Sequence, residues 1–340
     1  SSFTTPLIQN FNYLNSKEYY SIYPLLSQLV FFVAAFIAGS KLYLFSWIVK
    51  LIYLLIDFLC LKSLLHLLDM YHKPQYYALM YFGSPLILTE LHGNLHVEQL
   101  MISFLILSLY YQHANKAMLA GATLGMSILS KLNALLIAPF LIFRVKKFSW
   151  NLNWFLSCIT ACLPFLFILL YSFANYQGSL KLYFGQFEFN SFIYRPVRDF
   201  LFDKGHYTLK ADAALICIIP FILLYITLWY RAMLTCPGKI PFREIWLSLF
   251  AFLMFSSTVH PWYLTTILFV GLFCFPMTSL VWSLLVFLSY AFYDPHFAMY
   301  NQQFICMEYT VVLIALFIEY NRPKIIEKII GPDKKQVSSI

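Results

Sequence analysis

Long apolar runs, broken by short polar stretches, dominate the chain from Tyr23 to Tyr320. A bilayer core of about 30 Å needs about 20 apolar residues in a helix, fewer where helices tilt or kink inside a bundle. The pattern predicts eleven spans, near residues 43–69, 76–90, 97–113, 117–130, 132–144, 152–173, 211–231, 244–258, 261–275, 277–293 and 303–321. The polar break at Ser130-Lys131-Leu132-Asn133 predicts two half-helices meeting where backbone lines a cavity. Residues 22–40 are apolar enough to insert but run through Gly39-Ser40-Lys41 into the next apolar run, and are read as a juxtamembrane helix that does not cross. The expected fold class is therefore all-α, a polytopic transmembrane helix bundle. Its parts are 1–42, an outer loop with the juxtamembrane helix; 43–321, the bundle, with a long outer loop at 174–210; and 322–340, a basic cytoplasmic tail.

Composition agrees. The 340 residues are 61% hydrophobic and only 11% charged, against about a quarter charged in soluble domains, and mean hydropathy is +0.72. A net charge of +8 could suggest nucleic acid, but the Lys and Arg sit in short loops and the C-terminal tail, a pattern of membrane topology that sets nucleic acid aside. The seven Cys lie in or beside apolar segments without CxxC spacing and read as small hydrophobes. With 22–40 not crossing, one set of loops (69–75, 112–116, 144–150, 231–243 and 321–340) holds 13 of the 23 basic residues and the opposite set eight, so the first set is placed in the cytoplasm.

That orientation gathers the chemically loaded segments on the outer side: Glu90 to Glu98, the Phe187–Asn190 stretch, His260 to Tyr263, and Tyr293 to His296. Glu90, His92, Asn94, His96 and Glu98 crowd two carboxylates and two imidazoles at a junction between spans, where burial and mutual charge shift pKa values. His92 and His96 are one helical turn apart. A catalytic or substrate-binding edge, a divalent-metal site and a plain polar loop are all compatible with this spacing; a metal is permitted, not required, and no other cofactor is expected. His260-Pro261-Trp262-Tyr263 reads either as a membrane-edge anchor or as a donor to phosphate or sugar oxygens. Lys131 has no acid nearby in sequence, so it either meets an anionic ligand such as a lipid phosphate or snorkels to the surface. Arg195 and Arg198, beside Asn190, could serve the same phosphate or simply be solvated. Lys50 and Asp57, two turns apart on one span, are expected to pair inside the bundle. No P-loop, GxGxxG or GxSxG motif occurs, which leaves nucleotide-driven transport without support.

Five segments in order resemble the polytopic C-type glycosyltransferases (GT-C), especially the bacterial mannosyltransferases of glycosyltransferase family 87. They are Tyr23-Pro24, Ser84–Glu90 with Gly93-Asn94-Leu95-His96-Val97-Glu98, Ser127–Asn133 around Lys131, Phe187–Ser191 with Asn190, and His260–Leu264. The resemblance implies a membrane hexosyltransferase that moves a sugar, mannose by analogy, from a polyprenyl-phosphate donor to a glycan or lipid-linked acceptor. It implies inversion at the anomeric carbon, on the outer face of the bacterial inner membrane. It implies catalytic roles for His260, Glu98 and His96, and substrate binding by Tyr23, Glu90, His92, Asn94, Lys131, Asn190, Arg195, Trp262 and Tyr263. The family's main base is an Asp in the first outer loop, upstream of the Tyr-Pro element; Ser1 to Tyr20 holds only Glu18, so a preceding helix carrying that Asp, and twelve spans in all, are expected. Leu25 stands where the family has a second Pro. Two other readings stay open on the residues alone: a secondary transporter or flippase, which the polar breaks at Lys131 and His260 also suit, and a non-catalytic membrane subunit.

Overall fold

The computed structural model describes residues 21, 23–142, 148–171, 177, 187–203, 209–236 and 238–330. The expectations for residues 1–20, for the basic loop at 144–147, for 174–176, 178–186 and 204–208 of the long loop, and for the tail beyond 330 lie outside the described residues. In chain order the helices are α1 (Leu25–Ala38), α2 (Leu42–Met70), α3 (Tyr77–Phe82), a π-helical turn (Ile87–Gly93), α4 (Glu98–His113), α5 (Ala117–Ser130), a 3-10 turn (Leu132–Leu136), α6 (Ala138–Leu141) and α7 (Phe148–Tyr171). They continue with α8 (Tyr194–Asp203), α9 (Leu209–Thr235), α10 (Phe242–Phe255), a 3-10 turn (Pro261–Tyr263), α11 (Leu264–Gly271), α12 (Pro276–Leu285) running into a 3-10 stretch (Val286–Tyr293), and α13 (Asn301–Ile330). Among the described residues the only β pairing is an isolated bridge between Phe189 and Thr258.

Among the described residues, five helical stretches are long and apolar enough to cross a membrane: Leu42–Met70, Phe148–Ile168, Asp212–Thr235, Pro276–Tyr293 and Ala298–Arg322. At most 33% of any of their apolar windows is buried inside the protein, so most of that surface faces outward, as a lipid-facing surface must. Phe58, Phe167 and Phe317 are among the large apolar side chains left outside. The chain is an all-helical, multi-pass membrane protein. The other six segments in the count of eleven form shorter or interrupted helices, because polar and proline-bearing positions break them. The 76–90 run, for example, divides into α3 and the π turn, and 132–144 into a 3-10 turn and α6. α1, at 14 residues, is only about 21 Å long and cannot cross a core of about 30 Å.

α5 packs against α7 through small residues. A Cβ on Gly121 would collide with the Trp154 carbonyl oxygen, and one on Gly125 would lie 2.6 Å from Ala161 Cβ, so the two backbones approach more closely than any larger residue allows. Buried serines join helix to helix: Ser127 Oγ donates to Met101 O at 2.7 Å, Ser108 Oγ to Ala120 O at 2.8 Å, and Ser27 Oγ to Ser130 O at 2.7 Å. The break after α5 is present as expected. Lys131 is extended (φ −157, ψ 134), and the carbonyls freed beyond it are taken up by α9, where Tyr225 OH donates to Leu136 O and Trp229 Nε1 to Pro139 O, both at 2.9 Å. Such partners are what non-helical backbone inside a membrane protein requires.

The expected Lys50–Asp57 pair is not formed. Asp57 turns to His92, whose Nε2 is 3.0 Å from Asp57 Oδ2, and to the Gln99 amide, while Lys50 lies over the Trp47 ring. A carboxylate buried in the bundle is better satisfied by two fixed donors than by one long flexible cation.

Candidate functional site

The site is assembled where helices break. The π turn brings Glu90 into the interior, fully buried, and Leu95 adopts a left-handed φ of 61° that redirects the chain before α4. That reversal separates the two imidazoles expected on one helical face. His92 turns to Asp57, and His96 points to Glu90, with Nε2 3.5 Å from Glu90 Oε2. Glu90 also accepts from Asn94 Nδ2 at 3.1 Å and from Tyr290 OH at 2.8 Å, so two segments 200 residues apart share one carboxylate.

Lys131 is neither unpaired nor snorkelling. It binds the buried Glu98 carboxylate and stands 4.6 Å over the Tyr263 ring. Oε2 of Glu98 has no hydrogen-bond partner. The Ser27–Ser130 bond holds the start of α1 against this same break, which places the Tyr23-Pro24 element close by; Tyr23 itself packs edge-on against Phe31.

Above the charged pair lies a continuous run of stacked rings. His96 stacks on Trp262 at 3.7 Å, Trp262 on His260 at 4.2 Å, His260 on Phe189 at 4.8 Å, and Phe189 on Tyr293 at 5.4 Å. The Phe189 end is fixed by backbone, since Phe189 N donates to Ser257 O at 3.0 Å and Val259 N to Phe189 O at 2.8 Å. Burial, with the Lys131 charge second, holds His96 down to about 3 and His260 down to about 4, so both rings are neutral near pH 7. His96 therefore meets Glu90 as a neutral imidazole rather than as an ion pair.

Both folded-state values lie below the ordinary 6.5. As pH falls from about 6.5 towards 4, the unfolded chain takes up protons that the folded chain refuses; stability should drop across that window and level off below about pH 3. Unfolding midpoints in detergent should follow this course, with a shallower slope in the His96→Gln/His260→Gln variant. A midpoint unchanged between pH 7 and pH 4 would contradict it.

Asn190 and Arg195 lie apart from Lys131. Asn190, in a left-handed conformation at φ 51°, donates Nδ2 to both oxygens of Glu308 at 3.2 and 3.3 Å. Glu308 also accepts from Trp282 Nε1 at 2.8 Å, and Asn190 O accepts from Tyr309 OH at 2.9 Å. Arg198 binds Glu188 and Asp199, and Arg195 Nε lies 4.0 Å from Asp199. Sequence reasoning missed Glu308, Tyr290 and the role of Asp57. The signal for Glu308 was present: an acid inside an apolar run, between Ile305 and Val311, marks a functional or structural site. Among the described residues no three His, Cys, Asp or Glu side chains converge as metal ligands, so the His92–His96 spacing does not build a metal site.

Fold and site together define a multi-pass membrane protein whose polar residues meet at helix breaks. Residues 19–147 match the family described as alpha-(1->6)-mannopyranosyltransferase, N-terminal domain. No match was found among curated proteins or among solved structures. The matched stretch is less than half of the chain.

Proposed function

We propose that this protein is a membrane mannosyltransferase of the GT-C type. It takes mannose from a polyprenyl-phosphate donor at the outer face of a bacterial inner membrane and passes it to a glycan or lipid-linked acceptor. One observation carries the reading. The matched stretch contains Tyr23, Glu90, Asn94, His96, Glu98 and Lys131, and two of these meet residues from far outside the match: His96 stacks on Trp262, and Lys131 stands over the Tyr263 ring.

The chemistry follows from the residues. The acceptor hydroxyl attacks the anomeric carbon, the bond from that carbon to the phosphate oxygen breaks, and the configuration inverts. Lipid phosphate leaves with the bonding electrons. Lys131 and the N–H group of the neutral His260 imidazole stabilise that growing charge in a site shielded from water. Glu98, whose Oε2 has no protein partner, takes the hydroxyl proton. Trp262, stacked between the two imidazoles, holds them in place, and the helices beside the break offer a groove for the prenyl chain.

The test uses the full-length protein in liposomes, supplied with polyprenyl-phosphate mannose carrying labelled mannose and with α-1,6-mannobiose. Labelled trisaccharide is expected. Movement of the labelled lipid between leaflets without trisaccharide would establish a flippase instead.

A further inference from the structure

The ring run ends beside a separate cavity of about 280 Å³, lined by Glu188, Phe189, Asn190, Arg195, Arg198, Phe292 and neighbours that include Asn301. Phe189 belongs to both, so the cavity is continuous with the site through one ring. Its size falls near the lower end for small-molecule sites, roughly 300–1,000 Å³, and suits a single sugar ring.

The polar groups state what would fit. Asn190 is only 4% exposed, and its amide orientation is fixed because Nδ2 must face the Glu308 carboxylate. Asn190 lines the cavity, and its buried Oδ1 is left with no hydrogen-bond partner among the described residues. An unpaired buried carbonyl needs a donor. An ionised phosphodiester or carboxylate has none to give, whereas a sugar hydroxyl donates to Asn190 Oδ1 and accepts from Arg195 or Asn301. The guanidinium of Arg198 is already engaged by Glu188 and Asp199, so the cavity has little free positive charge to draw an anion. Phe292, 47% exposed and edge-on to Phe189, adds an apolar wall for the C–H face of a ring.

We infer that this cavity is the acceptor subsite, binding one uncharged hexose of the acceptor glycan beside the transfer site. The inference rests on the transferase reading above, and it gives Arg195 to the acceptor where the sequence alone offered Arg195 and Arg198 to a phosphate.

The experiment measures binding first, without donor. α-1,6-Mannobiose is titrated into the full-length protein in nanodiscs by saturation-transfer NMR, alongside Asn301→Leu and Phe292→Ala. Saturable binding is expected, weakened about tenfold by either change and undisturbed by excess inorganic phosphate. No binding, binding unchanged in both variants, or displacement by phosphate would overturn the subsite. In the transfer assay both variants should raise the acceptor KM and leave the donor KM alone. A protein that binds mannobiose in this way yet transfers nothing would defeat the transferase reading and keep the sugar site; one that transfers with unaltered acceptor KM in both variants would do the reverse.

Discussion

Lys131→Met should be among the most destabilising single substitutions in the protein. It removes the cation from Glu98, which is only 1% exposed in its side chain. Breaking a buried pair by deleting one member costs about 3–5 kcal/mol, because the remaining charge is stranded; the 15% exposure of Lys131 puts the expectation at the lower end. Removing both charges, as Lys131→Met/Glu98→Leu, should restore most of the loss, since apolar residues of similar volume replace buried pairs at little cost. Unfolding of the three variants in mixed detergent, measured against wild type, checks the order. A single variant as stable as wild type would mean that the pair contributes nothing.

The largest effect on activity is expected from Trp262. Its indole is the middle of the ring run, in contact with His96 from the matched part of the chain and with His260 beside it. Truncation to Ala removes the surface that orders both imidazoles and opens the site to water. Misplacing catalytic groups by about 1 Å can cost about 100-fold in rate, and a loss of that order in transfer is expected for Trp262→Ala. Trp262→Phe keeps a stacking face and should retain activity within about tenfold of wild type. Stability should fall less than activity, because Trp262 is only partly buried.

Much of this was legible in the sequence. The all-helical membrane class follows from hydropathy, and the break at Lys131 follows from one cation between two apolar runs. The meeting of Glu90–Glu98 with His260–Trp262 follows from counting apolar segments between them, and the 3.7 Å contact of His96 with Trp262 bears it out. What escaped needed three dimensions. The Lys131–Glu98 pair spans 33 positions, so no local pattern announces it. The parting of His92 and His96 depends on a left-handed Leu95 that a helical spacing rule does not anticipate. Of the eleven expected spans, five are single helices long enough to cross among the described residues; the others are shorter or interrupted, because π and 3-10 turns and prolines decide where a helix ends. The anchoring of Asn190 to Glu308 lies across 118 positions, beyond any local pattern.

The central claim is that residues inside and outside the matched stretch form one transfer site. A double-mutant cycle between His96→Ala and Trp262→Ala, read as the initial rate of mannose transfer from polyprenyl-phosphate mannose, addresses it most directly. The two side chains act as a unit, so the double variant should fall little further than the worse single one. Additive losses in the logarithm of the rate, or single variants as active as wild type, would contradict a shared site.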